Sequence, residues 1–236
     1  MIEKQAFLDL LSQAGIEPME EDYLKFSIYC QMLQEWNEKI NLTAITDDEG
    51  IAVKHFVDSL LPMTMFDLPE HPRLIDVGTG AGFPSIPMKL IRSDIQLTLL
   101  DSLEKRLNFL RNLSARLGID AVTLHARAEE AGKDPKHREK YDVATSRAVA
   151  AMGVLAEYCL PLVKVGGVLL ALKGSSGRQE AEDGKRAIEL CGGRVEAIHD
   201  YALPNGDPRT LVIVRKISQT PPKYPRNAGQ ISKRPL

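Results

Sequence analysis

Apolar side chains recur at every third or fourth position between Met19 and Ile40: Met19, Tyr23, Phe26, Cys30, Leu33, Trp36 and Ile40. That period puts them on one face of a helix, and Trp36 reads as a core residue. A second helix is expected around IAVKHFVDSLLP, and no strand pattern precedes residue 73. From there the texture changes. Short apolar runs (RLIDV, QLTLLD, AVTLHA, YDVATS, GVLLALK) alternate with amphipathic segments such as FPSIPMKLI, LEKRLNFLRNLSARLG and VLAEYCLPLVK. The alternation predicts an α/β fold with a mostly parallel sheet covered by helices on both faces. The last two strand-like runs, VEAIHDYAL and TLVIVRKI, flank a turn containing Asn-Gly and predict an antiparallel pair closing the sheet. The final stretch, SQTPPKYPRNAGQISKRPL, has no core pattern and is expected to be extended or weakly ordered. The expected organisation is a helical cap over 1–72, an α/β domain over 73–218 and a basic tail over 219–236.

Composition adds limits. With 44% apolar and 26% charged residues, the chain reads as soluble and globular. No run approaches the length of a membrane span, and the acid-bearing amphipathic N-terminus does not read as a signal peptide. Cys30, Cys159 and Cys191 are far apart and lack metal-ligand spacing, so reduced core thiols in a cytoplasmic protein are expected, with no metal. The net charge of −2 conceals a split. Residues 1–72 hold 4 Lys/Arg against 14 Asp/Glu, a net of −10, while residues 73–236 hold 26 against 18, a net of +8. No acid follows Asp207, whereas Arg226, Lys233 and Arg234 are among the cations that do. The basic tail is either a solvated surface or a contact for a polyanion such as RNA.

The stretch LIDVGTGAGFP, residues 74–84, carries the candidate chemistry. Gly78, Gly80 and Gly82 follow Asp76 with the spacing G-x-G-x-G, and Phe83 stands where a dinucleotide fingerprint would place its third glycine. Pro84 and Pro87 leave few N–H groups for a pyrophosphate. Asp76 would repel phosphate but could hold an ammonium group through water or a loop N–H. Asp101, at the end of the next strand, could bind ribose hydroxyls or cap the following helix. A ligand with adenosine at one end and an amino acid at the other is S-adenosylmethionine.

With these residues the chain resembles the class I methyltransferases: a Rossmann-like, mostly parallel seven-stranded sheet with an antiparallel C-terminal strand pair. It is similar in particular to the glucose-inhibited division protein B family (RsmG). The resemblance rests on Trp36-Asn37, Asn41-Leu42-Thr43, His55 with Asp58-Ser59-Leu60, and residues 76–84. It continues through LLDSLEKR at 99–106, Arg127-Ala128-Glu129, Ser146-Arg147-Ala148, Leu172-Lys173-Gly174 and YPRNAGQISKRPL at 224–236. It implies methylation of N7 of a guanine in the decoding region of 16S ribosomal RNA, on free RNA or the small subunit. A monomer is expected, because the sequence shows no excess apolar surface. It also implies that Ala128 and Glu129 contact the adenine ring, and that Asp76, the glycines, Phe83, Asp101 and Arg147 serve the cofactor.

Three expected strand ends carry cations: Arg127, Arg147 and Lys173. Together they suit phosphate and an electron-rich base, with Arg147 or Lys173 positioning the substrate and Arg127 touching RNA. No cysteine lies at a strand end to act as a nucleophile, and no Asn/Asp-Pro-Pro-aromatic sequence follows the fourth strand. Guanine N7 needs neither, nor a general base, because its lone pair carries no proton. His55 and Asp58 share a helix face and are too few for a metal; a hydrogen bond or a lid over the pocket is expected. The alternatives are a small-molecule methyltransferase and a non-catalytic RNA-binding protein on the same fold.

Overall fold

A computed structural model describes residues 1–17 and 19–236. Helices α1 (Lys4–Gln13), α2 (Glu20–Ile40) and α3 (Asp48–Ile51) lead into a π-helical turn, Ala52–Val57, then α4 (Asp58–Leu60) and a 3-10 turn, Leu61–Thr64. The α/β part follows: β1 (Arg73–Val77), α5 (Ser85–Ile91), β2 (Gln96–Asp101), α6 (Glu104–Leu117), β3 (Ala121–His125), α7 (Ala128–Ala131), β4 (Tyr141–Arg147), α8 (Met152–Cys159) and β5 (Val163–Lys173). The chain ends with α9 (Gly177–Asp183), α10 (Lys185–Leu190), β6 (Gly193–Ala202), β7 (Pro208–Lys216) and α11 (Ala228–Lys233).

The seven strands lie in the order β3-β2-β1-β4-β5-β7-β6. The first five are parallel, and β7 runs antiparallel to both β5 and β6. Within the apolar runs, alternate side chains point to opposite faces of the sheet and so fall into two cores. Leu74, Leu97, Leu99, Val143 and Leu170 face one cluster. Ile75, Val77, Leu100, Ala144 and Leu169 face the other.

The composition shift near residue 72 does not mark a break in the core. Phe7, Leu11, Phe26, Tyr29, Leu33 and Phe56 belong to the same apolar cluster as Leu74, Leu97, Leu107 and Phe109. Trp36 packs on Phe109 with ring centroids 5.6 Å apart. The helices read as a cap are thus the covering layer of one sheet face.

The tail differs from the extended segment expected. Residues 228–233 form α11, whose Ile231 is fully buried. Asn227 and Gln230 close it with a reciprocal capping box: the Asn227 side chain accepts from the Gln230 N–H at 2.9 Å. Arg226 fixes the tail to α8. Its backbone N–H, Nε and Nη2 reach the Glu157 carboxylate at 2.7, 2.9 and 2.7 Å, and Glu157 is fully buried. Upstream, Lys216, also fully buried, donates to Thr220 Oγ1 at 2.7 Å and pairs with Glu139 at 3.1 Å. The tail is ordered by these polar contacts together with single buried apolar residues, Tyr224 and Ile231, too far apart to form a periodic pattern.

Candidate active site

The chain order reverses at β1, which lies between β2 and β4, and ligands of open α/β sheets bind at the carboxyl ends of strands flanking such a point. Two adjoining cavities open there. The larger, about 720 Å³, is walled by Gly78–Ala81, Phe83, His55, Asp58, Arg147–Ala151 and Lys173. The smaller, about 320 Å³, is walled by Asp101, Arg127, Ala128, Glu129 and Tyr158. Gly78, Arg106, Ala148 and Val149 belong to both walls.

The glycine loop is shaped from inside the chain. Gly78 has φ +71°, and a Cβ there would lie 2.6 Å from a Val149 methyl. Gly82 has φ +97°, and a Cβ would meet Ile86, the Tyr29 hydroxyl and Leu110 within 3.0 Å. The N–H groups of Gly78 and Thr79 donate to Leu100 O, that of Gly80 to the Asp101 carboxylate, and those of Gly82 and Phe83 to Thr79 O. With its N–H groups so committed, the loop is no anion cradle of the dinucleotide kind.

Asp76 lies beneath this loop rather than on a cavity wall. Its Oδ2 accepts from Thr79 Oγ1 at 2.7 Å and Ser85 Oγ at 2.6 Å, while Oδ1 has no partner in the chain. Burial pushes its carboxyl up to about 7, against hydrogen bonds from Ser85 and Thr79 that act the other way. A raised folded-state value means that the protonated form favours folding. The associated stability is present below the ordinary value of 3.8 and is lost as pH rises through about 7. Asp76→Asn should therefore remove a decline in wild-type stability between about pH 4 and pH 7. Denaturant midpoints across that range test this, and parallel curves for the two proteins would contradict it.

Asp101 is almost fully buried and joins the two glycine-side elements. Its Oδ1 accepts from Leu103 N at 2.9 Å and its Oδ2 from Gly80 N at 3.0 Å. Arg106 stands 3.5 Å away. The carboxylate still borders the smaller cavity, next to Ala128 and Glu129.

The largest surprise is the setting of Arg147. Its Nη1 reaches Asp58 Oδ2 at 2.9 Å and Lys54 O at 3.2 Å, and its Nη2 reaches His55 Nδ1 at 3.2 Å. The guanidinium lies 5.0 Å from the centre of the Phe83 ring. Arg209, from β7, holds the other Asp58 oxygen at 3.1 Å. Burial, with the Arg147 charge, holds the His55 ring down to about 3, so it is neutral. Arginine can only donate, so His55 Nδ1 accepts and Nε2 carries the proton. Nε2–H then donates to Thr43 Oγ1 at 2.8 Å. His55 and Asp58 thus hold Arg147 by hydrogen bonds, and both also line the larger cavity. Spacing on one helix face hinted at the pair; its partners lie 89 and 151 residues away in sequence.

The remaining expected site residues fall in different places. Lys173 is not an exposed rim charge: it is largely buried, donating to Ala150 O at 2.5 Å and pairing with Glu180 at 2.8 Å. Arg127 is exposed at the mouth of the smaller cavity. Gly82 sits in the core side of its loop, off the walls. Arg226 is committed to Glu157, away from both cavities, while Lys233 and Arg234 are exposed on the tail. Among the described residues no cluster of three His, Cys, Asp or Glu side chains could hold a metal, and no helix is long and apolar enough to cross a membrane.

The strand order and the cavities at the β1–β4 crevice define the class I methyltransferase fold. Solved structures share it: precorrin-6y C5,15-methyltransferase from Geobacter metallireducens (TM-score 0.52, 15% identity, 67% of this chain and 86% of that one) and TYW2 from M. jannaschii in complex with AdoMet (TM-score 0.53, 13% identity, 68% and 77%). The model of the rRNA small subunit methyltransferase G family (GidB) matches residues 22–207, and the chain belongs to that family. It is 49% identical to the ribosomal RNA small subunit methyltransferase G of Streptococcus gordonii, over 98% of this chain and 99% of that one. It is 48% identical to that of Acetivibrio thermocellus, over 99% and 96%.

Proposed function

We propose that the chain transfers a methyl group from S-adenosylmethionine to N7 of a guanine in the decoding region of bacterial 16S ribosomal RNA. It would act in the cytoplasm as a monomer, on the RNA or the small subunit. One observation carries the choice of acceptor. Every carboxylate on the cavity walls is matched by a cation: Asp58 by Arg147 and Arg209, Asp101 by Arg106, Glu129 by Arg127 and Glu180 by Lys173. Both nitrogens of His55 are used within the chain. Among the described residues the walls offer no free base, which suits an acceptor without a proton to lose.

The residues present fit the cofactor. Asp101 and Ala128–Glu129 border an adenosine-sized space, and the buried Asp76 Oδ1, without a partner in the chain, is an unused acceptor beneath the loop. S-adenosylmethionine supplies an electrophilic methyl group when bound. The chain's own work is orientation and exclusion of water, which can account for roughly 7–11 kcal/mol of such a barrier. Asp101→Ala should weaken cofactor binding by about 1–3 kcal/mol, because the ribose hydroxyls it would hold lose a carboxylate acceptor. Titration calorimetry measures it, and unchanged affinity would remove Asp101 from the site.

The rim arginines should separate. Arg147, clamped at the reaction crevice, is expected on alanine substitution to lower single-turnover transfer by about 100-fold. Arg127→Ala should instead weaken RNA binding generally and flatten its salt dependence by about one unit of slope. Rate and RNA affinity at several salt concentrations distinguish them; wild-type values for both would reduce the rim to surface charge. The decisive assay for the activity uses labelled S-adenosylmethionine with undermethylated small subunits, naked ribosomal RNA and a small-molecule extract. Label mapping to guanine N7 supports the reading, and label confined to small molecules overturns it.

A further inference from the structure

The larger cavity contains a donor and an acceptor that orientation of the cofactor does not use: Lys173 and Glu180. Lys173 ends β5, one strand beyond Arg147, whose register partner is Leu172. Glu180 follows on α9. Helix α9 is seated against the strands by Gly177, where a Cβ would lie 2.5 Å from Thr210 and 2.7 Å from Lys173. Ser176 Oγ donates to Glu180 Oε1 at 2.8 Å and Lys173 Nζ to Oε2 at 2.8 Å. A carboxylate has about four lone-pair sites, so two remain for a ligand, and the side chain is 26% exposed.

The acceptor geometry narrows what these groups can meet. If N7 faces the crevice between β1 and β4, its lone pair must stay free. An arginine fork on N7 and O6, the usual guanine contact in DNA, would block the reaction. From N7 the guanine edge continues with O6, an acceptor, then N1–H and the 2-amino group, both donors. From the crevice the rim continues with an ammonium and then a carboxylate. β5 lies two strands from β1, about 10 Å away, which leaves room for a purine. Adenine presents the reverse order, a donor and then an acceptor.

Resting on the methyl-transfer reading above, we infer that Lys173 and Glu180 read the Watson–Crick edge of the target guanine. Lys173 donates to O6, and Glu180 accepts from N1–H and the 2-amino group. Enzymes acting on single bases commonly recognise an unstacked base by that edge. Glu180 is then a specificity residue, and Lys173, already held by Ala150 O, is placed for its contact before the base arrives.

The test compares small subunits reconstituted with guanine or with inosine at the mapped target; inosine lacks only the 2-amino group. Wild-type enzyme should transfer methyl to inosine about 10- to 100-fold more slowly, the range for one hydrogen bond to a charged group. Glu180→Gln and Glu180→Ala should slow transfer to guanine and narrow the guanine-to-inosine ratio, with cofactor affinity by calorimetry unchanged. A purely structural role would slow both bases equally. Variants that keep the wild-type ratio, or a wild-type enzyme indifferent to the 2-amino group, overturn the inference. Wild-type enzyme that labels neither RNA overturns the activity reading, and this inference with it.

Discussion

Gly78→Arg is expected to abolish S-adenosylmethionine binding while leaving the chain folded. Gly78 is one of four residues shared by the two cavity walls, and its missing Cβ points at Val149 from 2.6 Å. A side chain there must displace Val149 and cross the junction between the compartments, where one extended ligand would have to pass. The left-handed backbone adds about 1–2 kcal/mol of strain for a non-glycine residue, too little to unfold an ordinary domain. The affinity loss should exceed about 4 kcal/mol, or a thousandfold. Calorimetry on a variant with a wild-type circular dichroism spectrum decides the matter. Measurable binding within tenfold of wild type would mean that the ligand does not pass over this loop.

Arg226→Ala should be the most destabilising single change in the tail, costing about 3–5 kcal/mol by leaving a buried charge without its partner. Glu157 is fully buried, whereas Arg226 is partly exposed. The reverse change, Glu157→Gln, should cost less, because the arginine can turn toward water. The arginine loss should also reach the cofactor. Tyr158, next to Glu157, borders the smaller cavity, and Pro225 packs where a Gly132 Cβ would come within 3.0 Å, just beyond α7. Denaturant unfolding of both variants checks the asymmetry. A loss below about 1 kcal/mol for Arg226→Ala, typical of surface pairs, would return this residue to the surface role expected from the sequence.

These two cases show where the sequence was legible. The sheet followed from short apolar runs alternating with amphipathic segments and the glycine loop from its spacing, both local signals. The Asn227–Gln230 capping box is also a local signal and marks the start of α11, but the tail's reading rested on its lack of a core pattern. The Arg226–Glu157 pair and the Asp58 clamp on Arg147 are of another kind. They join residues brought together only by packing, and no local pattern distinguishes a lysine or arginine destined for burial from one left in solvent. Hence Lys173, expected to position the substrate at a strand end, and Arg226, expected on a solvated or RNA-contacting tail, were both placed outside the core. His55 and Asp58 stood out, yet their purpose depended on a strand end far along the chain.

The place of β7 has a consequence for how the protein comes into being. It is the last strand made, yet it sits between β5 and β6. While a ribosome is still elongating the chain, β5 has an open edge and β6 has no neighbour. Domains tend to fold as they emerge, N-terminal part first, and unpaired edges invite misassociation meanwhile. Here closure waits for residues 208–216, and the charge on Glu157 waits for Arg226 still later. A nascent chain stalled before these segments is therefore a half-built sheet with an uncompensated carboxylate.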